Sequence, residues 1–302
     1  AEFDYARETG AEIARMIGAK GTEEICFGTN ESTLFNIFSN GLHLKAGDNV
    51  ITYDSAYISI PYTWVNLADR LGIEVRFATA KEGVVAPEQL FALVDAHTKA
   101  ISLPHVDNKT GYRHDLKTIG EFCHQRGIAF GVDATQSCGA LQIDVQDAKI
   151  DFLCAASYKW MCSELGLGFA YIKKEFMDTL QQDVMGWRNT VDCLGPNDSR
   201  VIKMSPTATR FENGGLPFAQ MHMLFASVGN YLRLGAEPIE KRILSHVNYV
   251  YDAVEEIPNV SLYFSFPEKN RSGIVVLRVP EEWGLTVQKL AKNGIGACMH
   301  AP

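Results

Sequence analysis

Lys159 ends a run of small and apolar residues, "FLCAASYKW", and stands between Tyr158 and Trp160. A buried ammonium is costly unless it is paired, reaches water or is neutralised. Earlier in the chain, "GVDATQS" ends another apolar run on Asp133, with Gln136 three residues further on. Two readings of this pair are open. One is a salt bridge between strand ends. The other is the pair that an aldehyde cofactor with a pyridine ring requires. There a lysine holds the aldehyde as a Schiff base, and a carboxylate keeps the ring nitrogen protonated, so that the ring accepts electrons from a breaking bond. A lysine so placed serves first as nucleophile and then as proton carrier.

Such a cofactor also needs an anion site. "FGTNESTLFNIF" offers Thr29, Asn30 and Ser32 at a helix start, followed by Thr33. Free N–H groups and the helix dipole favour a phosphate there. Most helix starts of this composition are merely caps.

The elements that must position these residues alternate between strand and helix patterns. Strands are expected at 23–28, 48–53, 73–79, 100–106, 128–134 and 151–157, and "LGFAYIKKE" returns as a further one. Helices are expected at 31–42, 62–72, 87–96 and 116–127. This order predicts an α/β fold, a mainly parallel sheet sandwiched by helices, with ligands at the carboxyl ends of the strands. From Pro217 two long helices follow, separated by Gly235 and Pro238. Then come "VSLYFSF" and "SGIVVLRV" as strands and "TVQKLAKNG" as a helix. A boundary is expected near 235, giving a large domain over 1–235 and a smaller α+β domain over 236–302.

Bulk properties narrow the class. The 302 residues carry a formal net charge of −8, which argues against nucleic acid or an anionic membrane as main partner. No apolar run reaches the roughly 18 residues of a membrane span. The opening "AEFDYARETG" does not read as a signal peptide, and it lacks a Met. The seven cysteines have irregular spacing and no C-x-x-C pair. That pattern fits free thiols in a reducing cytoplasm better than disulfides, and no metal site is expected.

Taken in order, "FGTNESTLFN", "HVDNKTGYRHDL", "GIAFGVDATQSCGALQIDV", "IDFLCAASYKW", "GLGFAYIKKE", "GW" and "RFENGG" resemble the class V aminotransferase family of pyridoxal-phosphate enzymes. That family has the fold-type I architecture and includes cysteine desulfurases, isopenicillin-N-epimerase-like proteins and kynureninases. The resemblance implies pyridoxal 5'-phosphate as cofactor, with Lys159 as its Schiff-base lysine and Asp133 at the pyridine nitrogen. It implies Gln136 at the ring's 3-oxygen, and Asn108 near that oxygen and the substrate carboxylate. Ser32 and Thr33 would bind the phosphate, helped by Ser157 or Tyr158. Tyr57 would stack on the ring, with Tyr62 as its competitor, and Arg210 would lie near a homodimer interface or brace a loop.

Three departures bear on the reaction. Tyr158 stands where desulfurases carry His, and "SYK" is closer to kynureninase. Gln136 stands where kynureninases carry His. Gly215 replaces a threonine that would reach the partner subunit's phosphate. Cys298 lies in the region of a desulfurase's nucleophilic loop without either usual loop pattern, so an incidental thiol is the default. His105, His114 and His124 read as structural. Family members are longer at both ends, and the missing C-terminal portion would carry the arginine for the substrate carboxylate. The expected function is desulfurase, C–S lyase or epimerase-like chemistry on an amino acid. The alternatives are a kynureninase-like C–C hydrolase, a true aminotransferase, and a catalytically silent binding subunit.

Overall fold

The computed structural model describes residues 2–299 apart from 192, 196, 197 and 199. Seven strands form one sheet: β1 (Ile25–Gly28), β2 (Asn49–Tyr53), β3 (Glu74–Ala78), β4 (Thr98–Pro104), β5 (Ala129–Asp133), β6 (Phe152–Ala156) and β7 (Gly168–Ile172). Their order is β1-β7-β6-β5-β4-β2-β3. The run from β3 to β6 is parallel throughout. Strand β7 is antiparallel to both its neighbours. The cause lies in the connection over 157–167, which carries no helix, whereas a parallel crossover normally needs one.

Strands β2, β5, β6 and β7 are buried along their whole length, so both sheet faces must be covered. One face carries α2 (Glu31–Gly41) and α3 (Ser59–Leu71). Their Phe35, Phe38 and Trp64 pack with Phe152, Cys154 and Ala170 of the sheet. The Phe38 and Phe152 rings stack at 5.2 Å. Trp64 stays wholly buried because its Nε1 donates to Ser102 Oγ at 2.7 Å. The other face carries α1 (Glu2–Ile17), α5 (Leu116–Arg126) and α7 (Phe218–Leu234). Ile13, Ile119 and Met221 meet Ile101, Phe130 and Tyr171 there. Helix α1 lies in a stretch to which the sequence pattern assigned no element. The helix expected over 87–96 is shorter: α4 (Pro87–Phe91) tightens into turns, with Leu93 N–H on Leu90 O and Val94 N–H on Phe91 O.

Past Gly235, α8 (Ala236–Glu255) begins without a break. The two strands expected next shrink to a two-residue pair, β8 (Ser261–Leu262) with β9 (Leu277–Arg278), and α9 (Val287–Lys292) follows. This part is tied to the body at Gln142, whose N–H donates to Glu240 Oε2 at 2.9 Å, and around the loop at 111–113. Ser272 Oγ donates to Gly111 O at 2.7 Å, Arg113 N–H donates to Asn270 O at 2.9 Å, and Arg113 pairs with Glu240 at 2.5 Å. Among the described residues no helix is long and apolar enough to cross a membrane.

Candidate active site

Because β4, β5 and β6 are parallel, their last residues, Pro104, Asp133 and Ala156, share one edge of the sheet. Asp133 sits in register between Pro104 and Cys154. The first turn of α2 reaches the same edge, and a cavity of about 520 Å³, partly open to solvent, lies between them. Asp133 and Lys159 both line it.

Two glycines fix this arrangement. A Cβ on Gly131 of β5 would stand 2.6 Å from the Phe38 ring, so only glycine lets α2 settle this close. Gly139 ends the turn after Asp133 at φ +91, where a side chain is strained, and a Cβ there would lie 2.4 Å from Trp160 O. The turn that carries Gln136 thus touches, backbone to backbone, the loop that carries Lys159. That loop is held by Ser157, whose one hydroxyl proton is shared between Glu164 O and Leu167 O at 2.9 and 2.8 Å. Cys162 N–H closes it on Lys159 O at 2.9 Å.

Asp133 is 5% exposed, and its Oδ1 accepts from Thr135 N–H at 2.8 Å. Burial raises its pKa, opposed by the Thr135 hydrogen bonds and the charge of Lys159. Lys159 acts on it as a nearby charge rather than through a hydrogen bond, so the two do not form the plain salt bridge of the first reading. Lys159 Nζ lies 5.8 Å from the Tyr158 ring centroid. Asn108 lines the cavity, and its buried Oδ1 has no partner among the described residues. Its loop is fixed by Asp107, which accepts from the N–H groups of Lys109 and Thr110 at 2.8 Å each and from the Tyr53 hydroxyl at 2.9 Å.

At the start of α2, Asn30 is the cap. Its Oδ1 accepts from Thr33 N–H at 2.8 Å and from the Thr33 hydroxyl at 3.0 Å. Asn30, Glu31 and Ser32 line the cavity. Thr33 does not; it lines a second, larger groove of about 1100 Å³ with Gly214 and Gly215.

The expected site residues therefore separate. Lys159, Asp133, Gln136, Asn108, Ser32, Tyr158 and Tyr57 line one cavity. Tyr62 is 67% exposed and lies outside that lining. Ser157 is used to build the lysine loop. Arg210 turns to the Met177 carbonyl and Asp178. Beside it, Glu212 of "RFENGG" accepts from Phe27 N–H at 3.0 Å and pairs with Arg188 at 2.6 Å. Cys298 is exposed beyond α9, and Cys162, three residues from Lys159, is exposed too. His114 is buried between the rings of Tyr53 and Tyr112, and burial pulls its pKa down to about 3. His105 is lowered as well, chiefly by burial. Both serve packing as neutral rings.

Glu31 and Thr135 also line the cavity and were not among the expected residues. A Glu in the first turn of a helix is favourable on any surface, so nothing in its local pattern singles it out. Glu31, Asp133 and Cys154 bring their donor atoms within 4.8 Å of one another. They make a poor metal site, because burial keeps the Cys154 thiol well above its ordinary pKa and thus protonated.

A helix-flanked, mainly parallel sheet with a lysine and a buried carboxylate across one strand-end cavity defines an α/β enzyme of the Schiff-base cofactor class. The Aminotransferase class-V family model matches residues 2–300, and the chain belongs to that family. It is 28% identical over 296 residues to a probable cysteine desulfurase of Methanothermobacter thermautotrophicus, covering 98% of this chain and 72% of the relative. It is 29% identical to a cysteine desulfurase of Haloferax volcanii, covering 87% of this chain and 62% of that one. An apo cysteine desulfurase structure from Thermococcus onnurineus superposes with a TM-score of 0.87 at 27% identity, over 97% of this chain and 72% of that one. The cystine C–S lyase C-DES, in complex with cysteine persulfide, shares the fold at a TM-score of 0.87 and 21% identity, over 97% and 78% of the two chains. The chain is thus a cysteine desulfurase-like enzyme of class V, a family dependent on pyridoxal phosphate. The residues present fit that cofactor: a lysine, a buried carboxylate, an orphaned Asn108 Oδ1 and a capped helix start all face one cavity.

Proposed function

We propose that this chain breaks a C–S bond of an amino acid, in the manner of a cysteine desulfurase or C–S lyase, with pyridoxal 5'-phosphate in the strand-end cavity. Lys159 and Asp133 lining that one cavity carry the reading, and the desulfurase relatives favour sulfur. Bound there, the cofactor supplies an electron sink for a bond breaking at Cα. Lys159 would hold its carbonyl carbon and move a proton at Nζ. Asp133 would face the ring nitrogen, where its burial strengthens any interaction with a cation. Gln136 and Asn108 would take the ring oxygen. Ser32, the free N–H groups of α2 and Tyr158 would take the phosphate, with Thr33 bracing the cap. Tyr57 would cover the ring.

The reading includes a homodimer whose partner covers the second groove, near Arg210. It includes a large cofactor-holding part up to Gly235 and a smaller part after it. A reducing cytoplasm suits the seven free thiols.

The test is to load the full chain with cofactor, add single amino acids, and score sulfide, pyruvate, alanine and racemised product. With a thiol reductant present to free any persulfide sulfur, we expect sulfide from cysteine or cystine. Racemisation or amino transfer without sulfide would sink the proposal. Alanine released from kynurenine would instead favour C–C hydrolysis, the reading to which Tyr158 beside the lysine points. Cys298→Ala then decides the sulfur route: unchanged sulfide release excludes a persulfide on that residue.

A further inference from the structure

Glu31 is 6% exposed, Asp133 is 5% exposed, and both line the cavity. Their carboxyl oxygens lie within 4.8 Å of each other. Two ionised carboxylates this close and this dry repel strongly, so one of them keeps a proton. The surroundings decide which. Asp133 receives the Thr135 N–H and feels the charge of Lys159. Glu31 receives neutral donors: the Ser32 hydroxyl at 3.2 Å and, from β6, the Cys154 thiol at 3.9 Å. Ser59 of α3 also faces it, and the Tyr158 hydroxyl is close enough to both carboxyls to feel their charge. No cation among these groups is paired with Glu31, so Glu31 is the carboxyl that stays neutral. Burial and the charge of Asp133 accordingly raise its pKa to about 8.

We propose that Glu31 is a positioning residue for the cofactor's ring proton: as pH rises it gives up its proton ahead of the ring nitrogen, and its new charge then joins Asp133 in retaining the proton on that nitrogen. The step balances simply. One proton leaves the Glu31 carboxyl for solvent, no other bond changes, and the ring N–H stays intact. The proposal rests on the reading that Asp133 faces the ring nitrogen. The Asp133 reading needs one negative charge behind the ring; Glu31 adds a second that appears only in alkaline solution.

The test is a pH titration of the holoenzyme carrying ring-¹⁵N-labelled pyridoxal 5'-phosphate, with the nitrogen's protonation read by NMR in wild type and in Glu31→Gln. Glutamine keeps the shape and cannot ionise, so a merely structural role leaves the titration unmoved. We expect the ring nitrogen of the variant to lose its proton about one pH unit or more below that of wild type. Equal titrations overturn the proposal and leave Asp133's role intact. A wild-type ring nitrogen already unprotonated at neutral pH overturns the Asp133 reading itself. If Glu31→Gln does not fold, wild-type protein with ¹³C-labelled glutamate decides. A Glu carboxyl titrating well above the ordinary range supports the proposal, and the absence of one overturns it.

Discussion

Two regions of this molecule bury carboxylates, and they do so differently. Under the "RFENGG" loop, Glu212 pairs with Arg188 at 2.6 Å, with side chains 1% and 5% exposed, and its second oxygen takes a backbone N–H. Every demand of that charge is met from within the chain. At the sheet edge, Asp133 and Glu31 are buried too, yet among the described residues neither has a guanidinium or ammonium in hydrogen-bonding contact. Burial pushes all three carboxyls above the ordinary range, and only at Glu212 does a hydrogen-bonded guanidinium, that of Arg188, oppose it. A closed ion pair is structure. An open pair of carboxyls facing a cavity leaves room for a cation beside it, and under the proposed function the ring nitrogen would be that cation.

The contrast breaks first where charges are removed. Arg188→Leu leaves Glu212 buried and unpaired, and we expect a loss of about 3–5 kcal/mol in chemical denaturation. Asp133→Asn in the cofactor-free protein removes a charge with no ionic partner and keeps the Thr135 hydrogen bond. Its stability should stay within about 1 kcal/mol of wild type. Equal losses in the two variants would mean that Asp133 is structural too.

A smaller effect tests the scaffold. Gly131→Ala pushes a methyl group into the Phe38 ring, and we expect a cost of about 1–3 kcal/mol in the same assay. Cofactor affinity should fall as well, because α2 must move away from β5. An unchanged affinity would show that this contact does not set the site.

The smallest effect is a slope. The Glu31 carboxyl sits at about 8 in the folded chain, above its unfolded value of 4.5. The folded state then binds more protons than the unfolded one between those values, so its stability falls as pH rises through that window. We expect the cofactor-free protein to lose at most about 1.4 kcal/mol per pH unit from this group. Glu31→Gln should flatten that part of the profile. A slope unchanged by the substitution would place the titration elsewhere.

Much of this was legible in the sequence because local rules and tertiary demands agree there. The apolar runs ending at Asp133 and before Lys159 are strands buried on both faces, and parallel pairing brings their ends together. Gly72 and Gly127 close their helices, as the pattern expected, and both adopt the left-handed conformation there. Other features had no local mark. The reversal of β7 depends on a short crossover rather than on its own residues. The family resemblance implies Thr33 at the phosphate, and the structure adds a bond from its hydroxyl to the Asn30 cap, a contact set by rotamers that sequence does not encode. Glu31 looked like an ordinary first-turn acid; only its burial against β5 and β6 makes it unusual. The strands expected after residue 260 contract to two residues each, since residues around them are largely exposed and offer little to pack against.

The most direct test is chemical. Cofactor-loaded protein should be yellow, and borohydride followed by proteolysis and mass spectrometry should find the reduced pyridoxal group fixed on Lys159. Label on a different lysine, or protein that stays colourless and takes up no added cofactor, would contradict the assignment of this cavity.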